Sequence, residues 1–308
     1  MHRTGDGASG TGGGYERYGG CARIHGGRIA RCTAGQAAID RLSLSPLTNF
    51  DLGAFFAVII CVTAWRTRVL SPTGAIAAFF VGSIIFGAGG WPFVLTLFAF
   101  FVPAVLLSRI GLAHKRALQT LGKEGVRDGA QVLANGGVAA LCALLAIAGS
   151  QFWLAAFAAA LATAAADTFG TEIGTLSPSP PHSILTGKTV GTGLSGGITL
   201  LGTLAEIAGA FLVAGVARIA HVSPAFFAVA IGGVAGACID SLLGASAQAL
   251  RYCGGCNLFC ESERHRCGAD TRLVRGLPWL TNDGVNFLAT LGGALTAGAL
   301  LFYFPNFF

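Results

Sequence analysis

After residue 45 the chain alternates long apolar runs with short polar ones. Eight apolar spans can be drawn, at 50–65, 73–90, 91–109, 130–149, 152–166, 196–217, 223–249 and 284–304. A helix needs about 20 residues to cross a hydrocarbon core of roughly 30 Å. The pattern therefore predicts an all-α fold, a polytopic membrane bundle of about eight Gly-rich helices over residues 46–308. Residues 1–45 show no apolar periodicity and no continuous apolar stretch of the kind a secretory signal carries, and read as a disordered tail or an over-extended start.

Composition agrees: 53% of the 308 residues are hydrophobic and 11% charged. The 46 glycines and single methionine suit helices that approach closely through small residues, since apolar burial does not drive association in lipid. A net charge of +6 does not point to nucleic acid, because the basic residues lie in the tail or between spans. If all eight spans cross, the loops at 66–72, 110–129, 167–195 and 250–283 share one face. Every Lys and Arg beyond the tail except Arg218 lies in or beside them. The positive-inside rule puts that face in the cytoplasm, in a bacterial inner membrane, with both chain ends opposite.

The polar signals converge on that face. "ADTFGTEIG" places Asp167, Thr168 and Glu172 behind the fifth span, and "TGKTVGTGLSGG" carries Lys188, Gly196 and Gly197. "DSLLGASAQ" begins at Asp240, and "NDGVN" supplies Asn282, Asp283 and Asn286. Acids at a membrane edge are costly and by default mark function. A Gly-rich loop with a lysine, leading into a helix N-terminus, suits a phosphate. Mg²⁺ takes oxygen ligands from one or two carboxylates together with substrate phosphates, a role for Asp167 and Asp240. Asp167 and Glu172 are about 140° apart on an ideal helix, so both reach one ion only if the helix loosens at Gly170. Thr168 and Glu172 are i, i+4 neighbours. Glu206, inside the sixth span, is a buried acid or a further ligand.

A second feature is "CGGCNLFCESERHRC" in the loop at 251–280, between the last two spans. A C-x2-C pair followed by His-x-Cys suits tetrahedral Zn²⁺, with Cys253, Cys256, His265 and Cys267 as the preferred ligands and Cys260 in place of His265 as the alternative. In a reducing cytoplasm a structural metal fits these cysteines better than disulfides.

Six ordered blocks, "GAIAAFFVGSIIFGAGGW", "RDGAQVLANGGVAAL", "AADTFGTEIGTLS", "SGGITLLGTLAEIAGA", "DSLLGASAQ" and "LPWLTNDGVNFLATLGGAL", together resemble the transmembrane protein 19 family. That family includes the chloroplast phytyl-phosphate kinase. More distantly, the acidic block and Lys-Gly loop are similar to CTP-dependent polyprenol kinases and phosphatidate cytidylyltransferases. The resemblance implies transfer of a phosphoryl group from a nucleoside triphosphate, CTP or another, to an isoprenyl monophosphate at the cytoplasmic membrane edge. It implies catalytic roles for Asp167, Glu172, Lys188, Asp240 and Asp283, and cofactor contacts from Thr168, Gly196, Gly197, Asn282 and Asn286. The chain departs from the family pattern at Phe169, where Trp is usual, at Gly170, where Ala is usual, and at Ser195, where Asn is expected. Two other readings of the same residues stay open. One is a transporter or scramblase of anionic or isoprenoid lipids, with Asp167, Glu206 and Asp240 as a relay without turnover. The other is an assembly protein that binds a partner through the Cys loop.

Overall fold

The computed structural model describes residues 46–111 and 126–304; the expectation of a disordered tail falls outside them. Seven helices are long and apolar enough to cross a membrane. They are α1 (Pro46–Arg66), α2 (Pro72–Arg109), α3 (Gly129–Ala146), α4 (Gln151–Gly174), α5 (Leu200–Ile219), α6 (Phe226–Ser246) and α7 (Asn282–Tyr303). Five short strands lie in the loops. β1 (His182–Ser183) pairs with β2 (Gly197–Ile198), and β3 (Leu250–Cys253), β4 (Leu258–Cys260) and β5 (Arg272–Arg275) form an antiparallel sheet in the order β4-β3-β5.

The difference between eight spans and seven helices is resolved at Gly90. Its φ of 61° and ψ of −149° break α2 into two arms, a backbone conformation open essentially to glycine alone. Pro92 then falls in the first turn of the second arm, where its missing N–H costs nothing. The arms double back on one another. Gly74 abuts the Arg127 carbonyl, and the Arg127 guanidinium lies 5.9 Å from the Phe101 ring centre, whereas a straight helix would separate residues 74 and 101 by about 40 Å. α2 is thus a hairpin, which makes eight apolar segments of the seven helices.

α4 is the axis of the bundle. Residues 155–166 are all buried, and all but Phe157 and Leu161 are small because neighbouring backbones press directly on them. Gly209 of α5 meets the Ala165 carbonyl, Gly233 of α6 meets Ala162, and Gly293 of α7 meets Thr163. Phe157, fully buried, stacks on Phe93 of the hairpin with ring centres 4.4 Å apart. This surround explains the acids at the end of α4: they emerge into protein rather than lipid. The helix also runs further than the fifth span at 152–166, continuing through Gly174. Asp167 and Glu172 therefore occupy its last two turns rather than a loop.

Candidate functional site

A polar cavity of about 600 Å³ lies where the loops of one face meet. Among the acids that line it are Asp167 of α4, Glu206 of α5 and Asp240 of α6, each within a helix. Their charges act on one another, Glu206 feeling Asp167, and Asp240 feeling both. Gly170 creates the room for this, because a Cβ there would stand 2.5 Å from Glu206 Cγ and 2.6 Å from its Oε1. Asn286, with its amide nitrogen turned to satisfy both acceptors, donates to Asp240 Oδ2 and to the Asn282 carbonyl, each at 3.0 Å. Asn282 and Asp283, in the first turn of α7, also line the cavity, as do Thr168 and Glu172.

The rim is the segment 192–199. Gly196 has φ 79°, and a Cβ there would collide with the Ala245 backbone, so this loop can lie against the end of α6 only with glycine at that point. Its amides are partly engaged: Ser195 N–H donates to Glu261 Oε1 at 2.8 Å and Gly197 N–H to the Leu194 carbonyl at 3.2 Å. Gln248 Nε2 donates to Ser195 Oγ at 2.9 Å. Lys188 is not among the cavity residues. Ser183 N–H bonds the Lys188 carbonyl and Gly187 N–H bonds the Ser183 carbonyl, a tight turn that sets Lys188 on the exposed outer edge of the loop.

The cation that does line the cavity is Arg127. Its backbone is clamped, N–H to the Val69 carbonyl at 3.1 Å and carbonyl accepting from Ser71 N–H at 3.0 Å. Asp128 then starts α3 with a capping box, its Oδ1 accepting from Gln131 N–H while Gln131 Oε1 accepts from Asp128 N–H. Burial pulls the Arg127 guanidinium below its usual value, and the Glu172 carboxylate opposes that shift; an arginine stays charged regardless. A fourth buried acid, Glu261, reaches the cavity from the loop after β4. Burial pushes its carboxyl up, against the hydrogen bonds from Ser195 and Gln248 and the charge of Arg275. Arg127 and Glu261 were hidden in sequence, the first among topogenic basic residues, the second inside the cysteine run.

The cysteine loop folds as the β3-β4 hairpin with β5 alongside. The ligand atoms of Cys253, Cys256, His265 and Cys267 all lie within 4.8 Å of one another, and four N/S donors so placed could hold a metal ion. Cys253 and Cys267 Sγ are 3.6 Å apart, near the spacing of about 3.8 Å that Zn–S bonds of 2.3 Å impose in a tetrahedron. The hydrogen bond with His265 pulls the Cys267 thiol down to about 6. Cys256, bonded to Cys267, is pushed up to about 11. Cys260 stands apart, its thiol directed at the Ser262 carbonyl at 3.9 Å, so the set that uses it in place of His265 is not the one the fold assembles.

Residues 55–294 match the family described as Integral membrane protein DUF92. An uncharacterized membrane protein of Methanocaldococcus jannaschii is 38% identical over 193 residues, 61% of this chain and 80% of the relative. Protein PGR of Arabidopsis thaliana is 28% identical over 81% of this chain and 95% of its own length. The chloroplastic protein VTE6 of the same plant is 27% identical over 74% of this chain and 64% of its own. No solved structure matches. With a family match that spans the hairpin, the acid-lined cavity and most of α7, the chain belongs to the DUF92 family of integral membrane proteins.

Proposed function

We propose that this protein transfers a phosphoryl group from a nucleoside triphosphate to an isoprenyl monophosphate, in the polar cavity at the cytoplasmic membrane edge. The observation that carries the reading is the meeting of Asp167, Glu206 and Asp240 in one cavity with Arg127 and a glycine-rich rim. Carboxylates gathered inside a helix bundle repel one another unless cations answer them, and among the lining residues Arg127 faces these three together with Glu172, Asp283, Glu261 and Glu263. The donor set is all oxygen and fits Mg²⁺, with Asp167 and Asp240 as its holders and Glu206 in reach. When bound, such an ion would neutralise the phosphates and polarise the group being transferred.

The rest falls to the chain's own residues. A lipid monophosphate, with its second pKa at about 6, is mostly a dianion at neutral pH and needs no general base. This suits a cavity with no histidine among its lining residues. Arg127 offers a planar, permanently charged fork to a phosphate oxygen pair. Asn286 holds the Asp240 carboxylate in one orientation. The Cys253, Cys256, His265, Cys267 cluster holds a structural Zn²⁺ that fixes the sheet carrying Glu261.

A transporter built on the same acids would need a way through to the other face. Beyond the cavity α4 is sealed by Thr163 and the small residues packed around it, which favours a site closed at one end. The deciding assay uses purified protein with Mg²⁺, a γ-labelled nucleotide panel headed by CTP, and prenyl monophosphates of graded length. Labelled prenyl diphosphate is the expected product. Lipid movement between leaflets in vesicles, with no labelled product, would establish the transporter instead.

A further inference from the structure

A second cavity, of about 250 Å³, lies between α1, the two arms of α2 and α3. Its walls are apolar: Phe56 and Ala57 from α1, Val81 and Phe86 from the first arm, Trp91 and Phe98 from the second. It is not separate from the acid site. Arg127, Gln131, Asn135 and Thr168 line both cavities. We infer that this apolar groove binds the hydrocarbon chain of an anionic single-chain lipid whose phosphate rests at Arg127. This assignment rests on the reading of the polar cavity as a prenyl-phosphate site and adds where the chain goes and what limits it.

Three features argue for the assignment. Charge and apolarity are arranged in series. The Arg127 guanidinium faces the Phe101 ring at 5.9 Å on the groove side and interacts with Glu172 on the acid side, so an amphiphile's head and tail each meet a matching surface at one residue. The junction carries an unanswered polar atom, the buried Oδ1 of Asn135, which lacks a hydrogen-bond partner while its Nδ2 donates to the Gln131 carbonyl at 3.0 Å. A buried acceptor left this way is costly and marks a place where a donor arrives. Water held at a phosphate supplies one.

The dimensions suit one chain. Along the second arm the groove runs from Phe101 to Trp91, about 15 Å at 1.5 Å per residue. The far end is an aromatic stop, where the Trp91 ring lies 5.4 Å from Phe56 and 5.2 Å from Phe86. At mid-groove Gly82 faces Ala57, and a Cβ added there would sit in ordinary van der Waals contact, 3.8 Å from the Ala57 Cβ. That is room to build into without displacing backbone.

The test uses the full chain in nanodiscs and a prenyl monophosphate carrying a diazirine at the chain's far end. Photolysis should label residues of α1 and α2 around Phe56 and Trp91. Phytyl phosphate should compete, and diacyl phosphatidate should not. Gly82→Leu should weaken competition by phytyl phosphate about tenfold, the worth of roughly two buried methylenes, and leave dimethylallyl phosphate unaffected. Trp91→Ala, which removes bulk instead of adding it, should admit longer chains and keeps the test alive if Gly82→Leu misfolds. Label elsewhere, or equal competition by phosphatidate, overturns the groove whatever the enzyme assay reports. Label in the groove without any phosphoryl transfer sinks the kinase reading and leaves the lipid-anion site standing.

Discussion

Asp167 was marked in sequence by being an acid at the end of an apolar run, and the fold shows how it is kept there: Ala166 before it is fully buried and Gly170 opens the space for Glu206. Asp167→Asn preserves size and removes one of three mutually repelling charges. If the acids bind a catalytic metal, turnover should fall by about 100-fold or more, while thermal stability stays level or rises as repulsion is relieved. A merely structural acid predicts the reverse, near-normal turnover with lower stability. Asp240→Asn should match it, and the double variant should be little worse than either single one, because ligands of one centre act as a unit. Prenyl-diphosphate formation and a melting curve on the same preparations check both halves; wild-type rates in the two single variants would remove the carboxylates from the chemistry.

Elements were read with uneven success, and the reasons are physical. The hairpin in α2 is visible as a span boundary at 90/91, because glycine ahead of Trp-Pro favours a break there, the proline suiting the first turn of a new helix. The helical extension of α4 to Gly174 was not, because only its surround by α5, α6 and α7 makes polar residues acceptable there. Nor could sequence separate Lys188 from Arg127: both are basic loop residues, and the choice is made by the turn at 183–188 and by the clamp of Arg127 onto Val69 and Ser71. The cysteine sheet was legible in its ligands but not in its use, for Glu261 two residues past Phe259 reaches across to Ser195. That link makes a prediction. If zinc holds the sheet, the protein should contain about one equivalent, and Cys253→Ser should lower both metal content and stability. Hydrogen exchange at the amide of Ser195 should speed up in the same variant. Metal-free protein with unchanged stability would show that the four ligands are only neighbours.

At the scale of the whole molecule the question is which way the bundle faces. With α2 folded as a hairpin, the connections after α1, α2, α4 and α6 fall on one face, where Arg127, Ser195, Glu261 and Asn282 line one cavity. The other face carries the Gly90 turn and the connections after α3 and α5. Among the described residues its basic charge is limited to Arg218 in the last turn of α5, against Arg66, Arg109, Lys188, Arg251 and Arg275 on the first. Short loops of this kind set orientation through Lys and Arg, which predicts that the cavity faces the cytoplasm, where nucleoside triphosphates are found. A Lys188→Cys variant should therefore take up no more of a membrane-impermeant maleimide than the parent chain in intact cells, and gain label over the parent once the membrane is opened. A reporter fused after Tyr303, one crossing beyond Asn282, should read the opposite side. The orientation bears on chemistry as well as topology: maleimide label on the Lys188→Cys variant beyond that of the parent chain in intact cells would put the acid-lined cavity out of reach of nucleotide, and the phosphoryl-transfer reading would fall with it.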